Sequence, residues 1–583
     1  MNKISIYMMA IAGAMQLTGC ADDFLEQENT TSLNQGTFFN SDESVAAATA
    51  PLYNYVWNDF NSKFYYGMGD GRANNITAQY SDYIYPYTNF TDGSLSGGLA
   101  DAWNSLYSVV AQSNNTIVNI TEFSTSGVSE KAKVEAVAEA RFMRGLAYWY
   151  IGSLWGGGII YTVTSDLVDS YAAVKPHSRV DVIEFALRDM EFAAKNLPAV
   201  QAQAGRVTKY SAYGMLSRFY LSMAGLVNGD GAYDGSNAAT NFNRGVRNTY
   251  YLNLAAKAAK KVIDESSASL MPSFGDLFST ELTKVNNNAE SLFQLQWIQG
   301  STDANGWGCN NSIAAFFGWS TMVADGTNWG GATYCSWDLW KEFNMEEADK
   351  VRRHYSVASV GEVYPEFNKK NGGYIYGETE TAGNQGANIR KYVVGTNADN
   401  GYSAKQSCGV NTYMLRLAEV YFNYAEAVLG NNPSTTDADA LMYFNKVRER
   451  AGLSAKSAID YETLRHERRV ELAFEGLYWY DLLRRSYYQQ QEVINYINNQ
   501  QRNASYGQTN STYDGESCAG YSISKDYAAP GPSVSVATER NLVLQVPDVD
   551  QGKNVNLKPN ADGYLVTIPY VFGEREVAVE ELF

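Results

Sequence analysis

Apolar residues recur at helical spacing over several long stretches of the chain, which predicts helices there. Residues 103–120 place Trp103, Leu106, Tyr107, Val110 and Ile117 on one face, and residues 131–154 form an Ala-rich stretch broken by Gly156-Gly157-Gly158. Residues 181–197 line up Val182, Phe185, Ala186, Met190 and Ala193 and close at Pro198. Residues 210–226, 251–263, 411–429, 437–450 and 461–485 complete the set. These stretches come as neighbouring pairs with Ala- and Tyr-rich inner faces, so a mainly α scaffold of tetratricopeptide-like helical pairs is expected, each pair burying its face on the next. The strict repeat consensus is matched poorly.

Between the helical stretches the texture changes. Residues 57–98 and 297–340 combine aromatics with Asn, Asp and Gly at weak periodicity, and residues 486–540 are rich in Gln, Asn, Ser and Gly; all read as long loops. In the first, Tyr80, Tyr83 and neighbouring aromatics alternate with Asp70, Arg72, Asn74 and Asn75, the latter in and after a Gly-Met-Gly-Asp-Gly-Arg run. Between 297 and 340 lie six of the eleven tryptophans. Trp307, Trp319 and Trp329 sit among Gly, Asn and Asp and are expected as exposed platforms, whereas Trp337 and Trp340 have the spacing of core residues. Flat apolar faces beside amide, carboxylate and guanidinium groups suit sugar rings and their hydroxyls. The expected ligand set is therefore Asp70, Arg72, Asn74, Asn75, Tyr80, Tyr83, Trp307, Trp319 and Trp329.

Composition narrows the partners. With 43 Tyr and 11 Trp against 24 Phe, aromatics with a polar tip dominate, as at half-wet surfaces. The formal charge of −18 argues against nucleic acid or an anionic ligand as the main partner. The first residues form an export signal: Lys3, then an apolar run too short to span a bilayer, then Leu17-Thr18-Gly19-Cys20. This lipobox-like tetrapeptide predicts cleavage after residue 19 and a lipid anchor on Cys20. Cys309, Cys335, Cys408 and Cys518 show no CxxC spacing, and no cofactor or metal is expected.

Acids and bases crowd the segments around Arg416, Glu419 and Glu426, then Arg448 and Arg450, then 467–484. Their spacing at three and four residues predicts buried structural ion pairs, Arg416 with Glu419 among them, rather than catalytic carboxylates. Only three histidines exist, and His466-Glu467 fails the HExxH pattern, so no enzyme is expected; a surface glycosidase with two carboxylates is the disfavoured alternative.

These segments resemble the SusD/RagB family of outer-membrane nutrient-binding lipoproteins, with matches in order at 414–427, 445–453 and 467–484. Residues 140–159 and 205–218 resemble two further family segments, and the run of motifs spans nearly the whole mature chain. Leu477-Tyr478 stands where the family usually has an arginine, and the closing Thr567-Ile568-Pro569-Tyr570 departs from its PIP ending. The acidic stretch at 22–26 resembles the surface-export signal of Bacteroidota lipoproteins. The resemblance implies one domain over 20–583, with scaffold mainly at 101–270 and 411–485 and variable ligand-bearing regions at 57–98, 297–410 and 486–583. It also implies an oligosaccharide ligand, or a peptide in some members, and a SusC-like TonB-dependent transporter as partner at the outer membrane.

Overall fold

A computed structural model describes residues 38–78, 83–299, 308–318, 333–345, 349–376, 386–401, 408–506 and 534–583. The first helices are α1 (Asp42–Ala48), α2 (Leu99–Phe123), α3 (Glu130–Trp155), α4 (Arg179–Asn196), α5 (Lys209–Leu226) and α6 (Thr249–Glu265). Their starts are set by side chains that accept from first-turn N–H groups: Ser129 at α3, Ser178 at α4, Thr208 at α5 and Asn248 at α6. Short helices α7 (Trp337–Phe343) and α8 (Lys350–Ser356) precede α9 (Leu417–Leu429), α10 (Ala438–Arg450), α11 (Tyr461–Glu471), α12 (Tyr478–Ser486) and α13 (Gln490–Asn498).

The helices pack as a chain, α2 on α3, α3 on α4, α4 on α5, α5 on α6, α6 on α9 and α9 on α10. The scaffold thus continues from α6 to α9 across a long insertion, and it encloses a core that includes Leu146, Tyr150, Leu216, Phe219, Val420 and Leu482. A second core gathers Phe278, Phe317, Trp340, Val393, Phe474 and Tyr506. The α11 segment joins the two, giving Leu464 and Leu472 to the first and Val470 and Phe474 to the second. The C-terminal tail closes over α4 and α5: Tyr570 packs on His177 and Phe185, Arg575 pairs with Glu184 and Glu191, and the Tyr213 hydroxyl donates to the Leu582 carbonyl at 2.8 Å.

Four expectations change, the simplest being that α13 (Gln490–Asn498) forms inside the 486–540 stretch read as loop, burying Val493, Ile494 and Ile497. Residues 411–429 are not one helix: strand β4 (Thr412–Arg416) pairs antiparallel with β2 (Ser291–Leu295), and α9 starts only at Leu417. Every β4 residue is buried, and a run apolar on both faces carries no period to distinguish strand from helix. Residues 461–485 break between α11 and α12, where Phe474 and Gly476 take φ of 65° and 70°. Residues 57–98 are not mainly loop: short helical turns bury Trp57, Tyr65, Tyr66 and Tyr87.

The ion pairs are buried as expected, but their partners are distant in sequence. Arg416 pairs not with Glu419 but with Glu471 (2.7 Å), Glu475 (2.8 Å) and Glu290 (2.8 Å). Glu419 instead takes a bidentate contact from Arg218 of α5 at 2.7 and 2.8 Å. Glu426 accepts from Arg484 and Arg247, and Glu467 from Arg352 and Arg448. Spacing along one helix cannot reveal such pairs, because the partners arrive from neighbouring helices.

Burial disfavours the charged form of Glu426 and Glu471, yet Arg484 with Arg247 and Arg468 holds the first, and Arg450, Arg416 and Arg352 hold the second, at about 2. Stability from these two is present above the ordinary carboxylate value near 4.5 and is lost as pH falls toward 2. Asp70 and Asp349 behave oppositely: burial pushes both up to about 6, so their ionisation costs stability above that pH and protonation relieves it. The thermal midpoint, followed by circular dichroism, is therefore expected to hold or rise slightly from pH 7 to 5 and then to fall steeply below about 4. A monotonic decline from pH 7 would contradict this assignment.

Candidate functional site

The polar residues expected to face a ligand at 70–75 are buried and held by internal contacts. The Asp70 carboxylate accepts from the Asn75 amide (2.8 Å) and from the N–H groups of Phe474 (2.9 Å) and Gly476 (2.6 Å). It thereby satisfies the left-handed turn between α11 and α12. Arg72 pairs with Asp92, donates to the Asn541 carbonyl at 2.6 Å, and lies over the rings of Phe90 and Trp479. Asn74 donates to Asp338 at 2.8 Å, and the Asn75 side-chain oxygen accepts from Arg469 at 2.8 Å. Asp70, Arg72, Asn74 and Asn75 are thus corrected from ligand contacts to internal braces, each no more than 1% exposed.

The glycines of this run serve packing. A Cβ on Gly69 would lie 2.2 Å from the Gly476 carbonyl group, so two backbones touch where no side chain fits. Neither backbone can give way, so Gly69→Ala is expected to cost about 1–3 kcal/mol in urea unfolding. Gly93→Ala, which meets nothing within 4 Å, serves as the near-neutral control. Equal midpoints for the two variants would refute the contact.

Tyr83 is half-buried, with its ring 6.4 Å from that of Phe316. Tyr80, Trp307, Trp319, Trp329 and the anchor Cys20 lie outside the described residues. Trp340 is buried as expected, whereas Trp337 is partly buried and its indole N–H donates to Gln501 at 2.8 Å. Cys309 is half-buried, and Cys335 and Cys408 are buried.

The described flanks of the aromatic-bearing segments converge on one frame. Strand β1 (Ile76–Ala78) pairs antiparallel with β3 (Thr333–Cys335), so Ala78, just before Tyr80, sits opposite Thr333, just after the Trp329 segment. The helical turn Ile313–Phe317 leads toward Trp319 and is tied to β3 by a hydrogen bond from the Thr333 hydroxyl to the Phe316 carbonyl. The Ile298 N–H donates to the Cys309 carbonyl at 2.7 Å, joining the described residues on either side of 300–307. The Asn311 N–H donates to the Cys408 carbonyl at 2.8 Å, which ties 408 to the same flank. The Tyr506 hydroxyl accepts from the Ala387 N–H (3.1 Å) and donates to the Cys335 carbonyl (2.7 Å), which joins two more flanks to β3. No sequence spacing signals this convergence, since every one of these pairings reaches well beyond one turn of helix.

Among the described residues, Glu290, Glu471 and Glu475 are bound by the Arg416 guanidinium, and no group of three His, Cys, Asp or Glu is placed to hold a metal. No described helix is long and apolar enough to cross a membrane. The described residues form a helical scaffold beside a second core at which β1 and β3 pair.

Comparison with known proteins agrees. The SusD family model matches residues 289–564, and a model described as starch-binding, associating with the outer membrane, matches 23–221. A SusD-like protein of Bacteroides ovatus is 35% identical over 542 residues, 92% of each chain. A crystal structure containing a xylogluco-oligosaccharide has a TM-score of 0.77 at 32% identity, covering 91% of this chain and 100% of its own. A laminarin-binding SusD-like protein has a TM-score of 0.62 at 16% identity, covering 88% of this chain and 98% of its own, which speaks for the fold alone. This chain belongs to the SusD family.

Proposed function

We propose that this protein is a cell-surface lipoprotein, anchored through Cys20, that captures an oligosaccharide without cleaving it and delivers it to a SusC-like TonB-dependent transporter. The observation that carries this reading is the likeness, along nearly the whole chain, to the structure holding a xylogluco-oligosaccharide. The frame around β1 and β3 supports it, because it gathers the flanks of the segments bearing Tyr80, Trp307, Trp319 and Trp329. Flat aromatic faces cover ring C–H groups while nearby polar groups meet the hydroxyls. A non-catalytic role is supported by Glu426 and Glu471, which arginines hold at about 2, well below the range of a general acid or base at neutral pH.

Calorimetry across xylogluco-, laminari- and malto-oligosaccharides and a peptide pool tests the ligand class. Saccharide binding without release of reducing sugar supports the reading, while binding of peptide alone moves the protein to the peptide alternative. Co-purification of the chain with a SusC-like transporter from membranes tests the partner, and a protein that purifies alone under mild detergent speaks against it.

A further inference from the structure

A cleft of about 780 Å³ opens on the scaffold side, away from the β1–β3 frame, within the size range of small-ligand sites. Its walls come from the end of α3, the start of α4, the loop after α5, the α12–α13 junction and the C-terminal tail. None of its lining residues belongs to the second core. Arg179 forms part of the floor, its guanidinium 5.0 Å above the Tyr487 ring. Its Nε donates to the Gly152 carbonyl at 3.3 Å, and neither terminal nitrogen has a hydrogen-bond or ion-pair partner among the described residues.

The nearest acid on its own helix does not neutralise it. Asp181 is occupied by the hydroxyls of Tyr233 (2.9 Å) and Ser178 (2.7 Å) and by the Tyr570 N–H (3.3 Å). Glu539 is exposed at the rim, and the exposed Asn241 amide and the half-buried Tyr564 complete a mixed lining. A donor-only guanidinium, an acceptor-only carboxylate and an amide that does both are matched together by a ligand whose groups also do both. Vicinal ring hydroxyls fit that description. A simple anion would meet Glu539 and an overall charge of −18.

We propose that this cleft is a second saccharide site, taking a short neutral stretch of the glycan captured at the frame; the inference rests on the saccharide-binding reading above. Two sites on one chain would hold a long polysaccharide at two points, so the second contact forms at the effective concentration set by the first. No bond is made or broken.

Native mass spectrometry of the full chain with xylogluco-, laminari- and malto-oligosaccharides tests this. Two bound oligosaccharides are expected at saturation. Arg179→Ala, or Thr240→Trp placed at the exposed mouth, should each remove one, and each should weaken binding of the parent polysaccharide at least tenfold. Trp307→Ala/Trp319→Ala/Trp329→Ala should remove the other. Using both cleft variants guards against a folding defect in one, since the melting curve of each is recorded alongside. One bound oligosaccharide, lost in the tryptophan variant and untouched by both cleft changes, overturns the second site and leaves the first reading standing. One lost only in the cleft variants overturns the frame as the capture site and keeps the cleft. No saccharide bound overturns both.

Discussion

Arg416→Met is expected to cost about 3–5 kcal/mol of folding stability, read as a shift in the urea midpoint at unchanged slope. The side chain is 1% exposed and holds Glu290, Glu471 and Glu475 together at 2.7–2.8 Å. Methionine fills similar volume but leaves three buried carboxylates facing one another, with Arg450, Arg352 and Lys391 as the remaining cations. Domain stabilities total only about 5–15 kcal/mol, so much of the variant should be unfolded at 37 °C. Lys195→Met, which breaks a pair with Glu581 at the surface, should cost less than about 1 kcal/mol. Equal losses for the two would show that the buried network adds nothing beyond a surface pair.

The second large effect is on binding. Replacing Trp307, Trp319 and Trp329 together by Ala is expected to weaken oligosaccharide affinity by about 100-fold or more, roughly 2.7 kcal/mol, with little change in the melting temperature. Buried aromatic anchors dominate binding energy, whereas exposed platforms add little to the fold. Unchanged affinity in calorimetry would shift the capture site to Tyr80 and Tyr83. A collapse of the melting curve would show instead that these tryptophans are core.

Several elements were legible because their information is local. The faces of α2, α4, α5 and α6 appear in the chain as apolar residues one turn apart, and the starts of α4, α5 and α6 carry a residue whose side chain caps them. The family, too, was legible from ordered motifs, and the matching models and relatives bear it out. The run at 67–72 misled for a physical reason. Glycines beside Asp and Arg read equally well as a convergent binding loop or as a backbone contact, and only the approach of Gly476 decides between them. The strand at 412–416 misled because a fully buried segment has no polar face from which to read a period.

By itself, the sequence determined the mainly helical class, the family and the apolar faces of the scaffold helices. Tertiary structure alone decided which arginine meets which glutamate, that Asp70 braces a turn rather than a ligand, and that flanks near residues 78, 318, 333 and 408 meet at one edge. Periodicity and capping act within one turn of chain, whereas these pairings reach well beyond it, and nothing in local spacing encodes them.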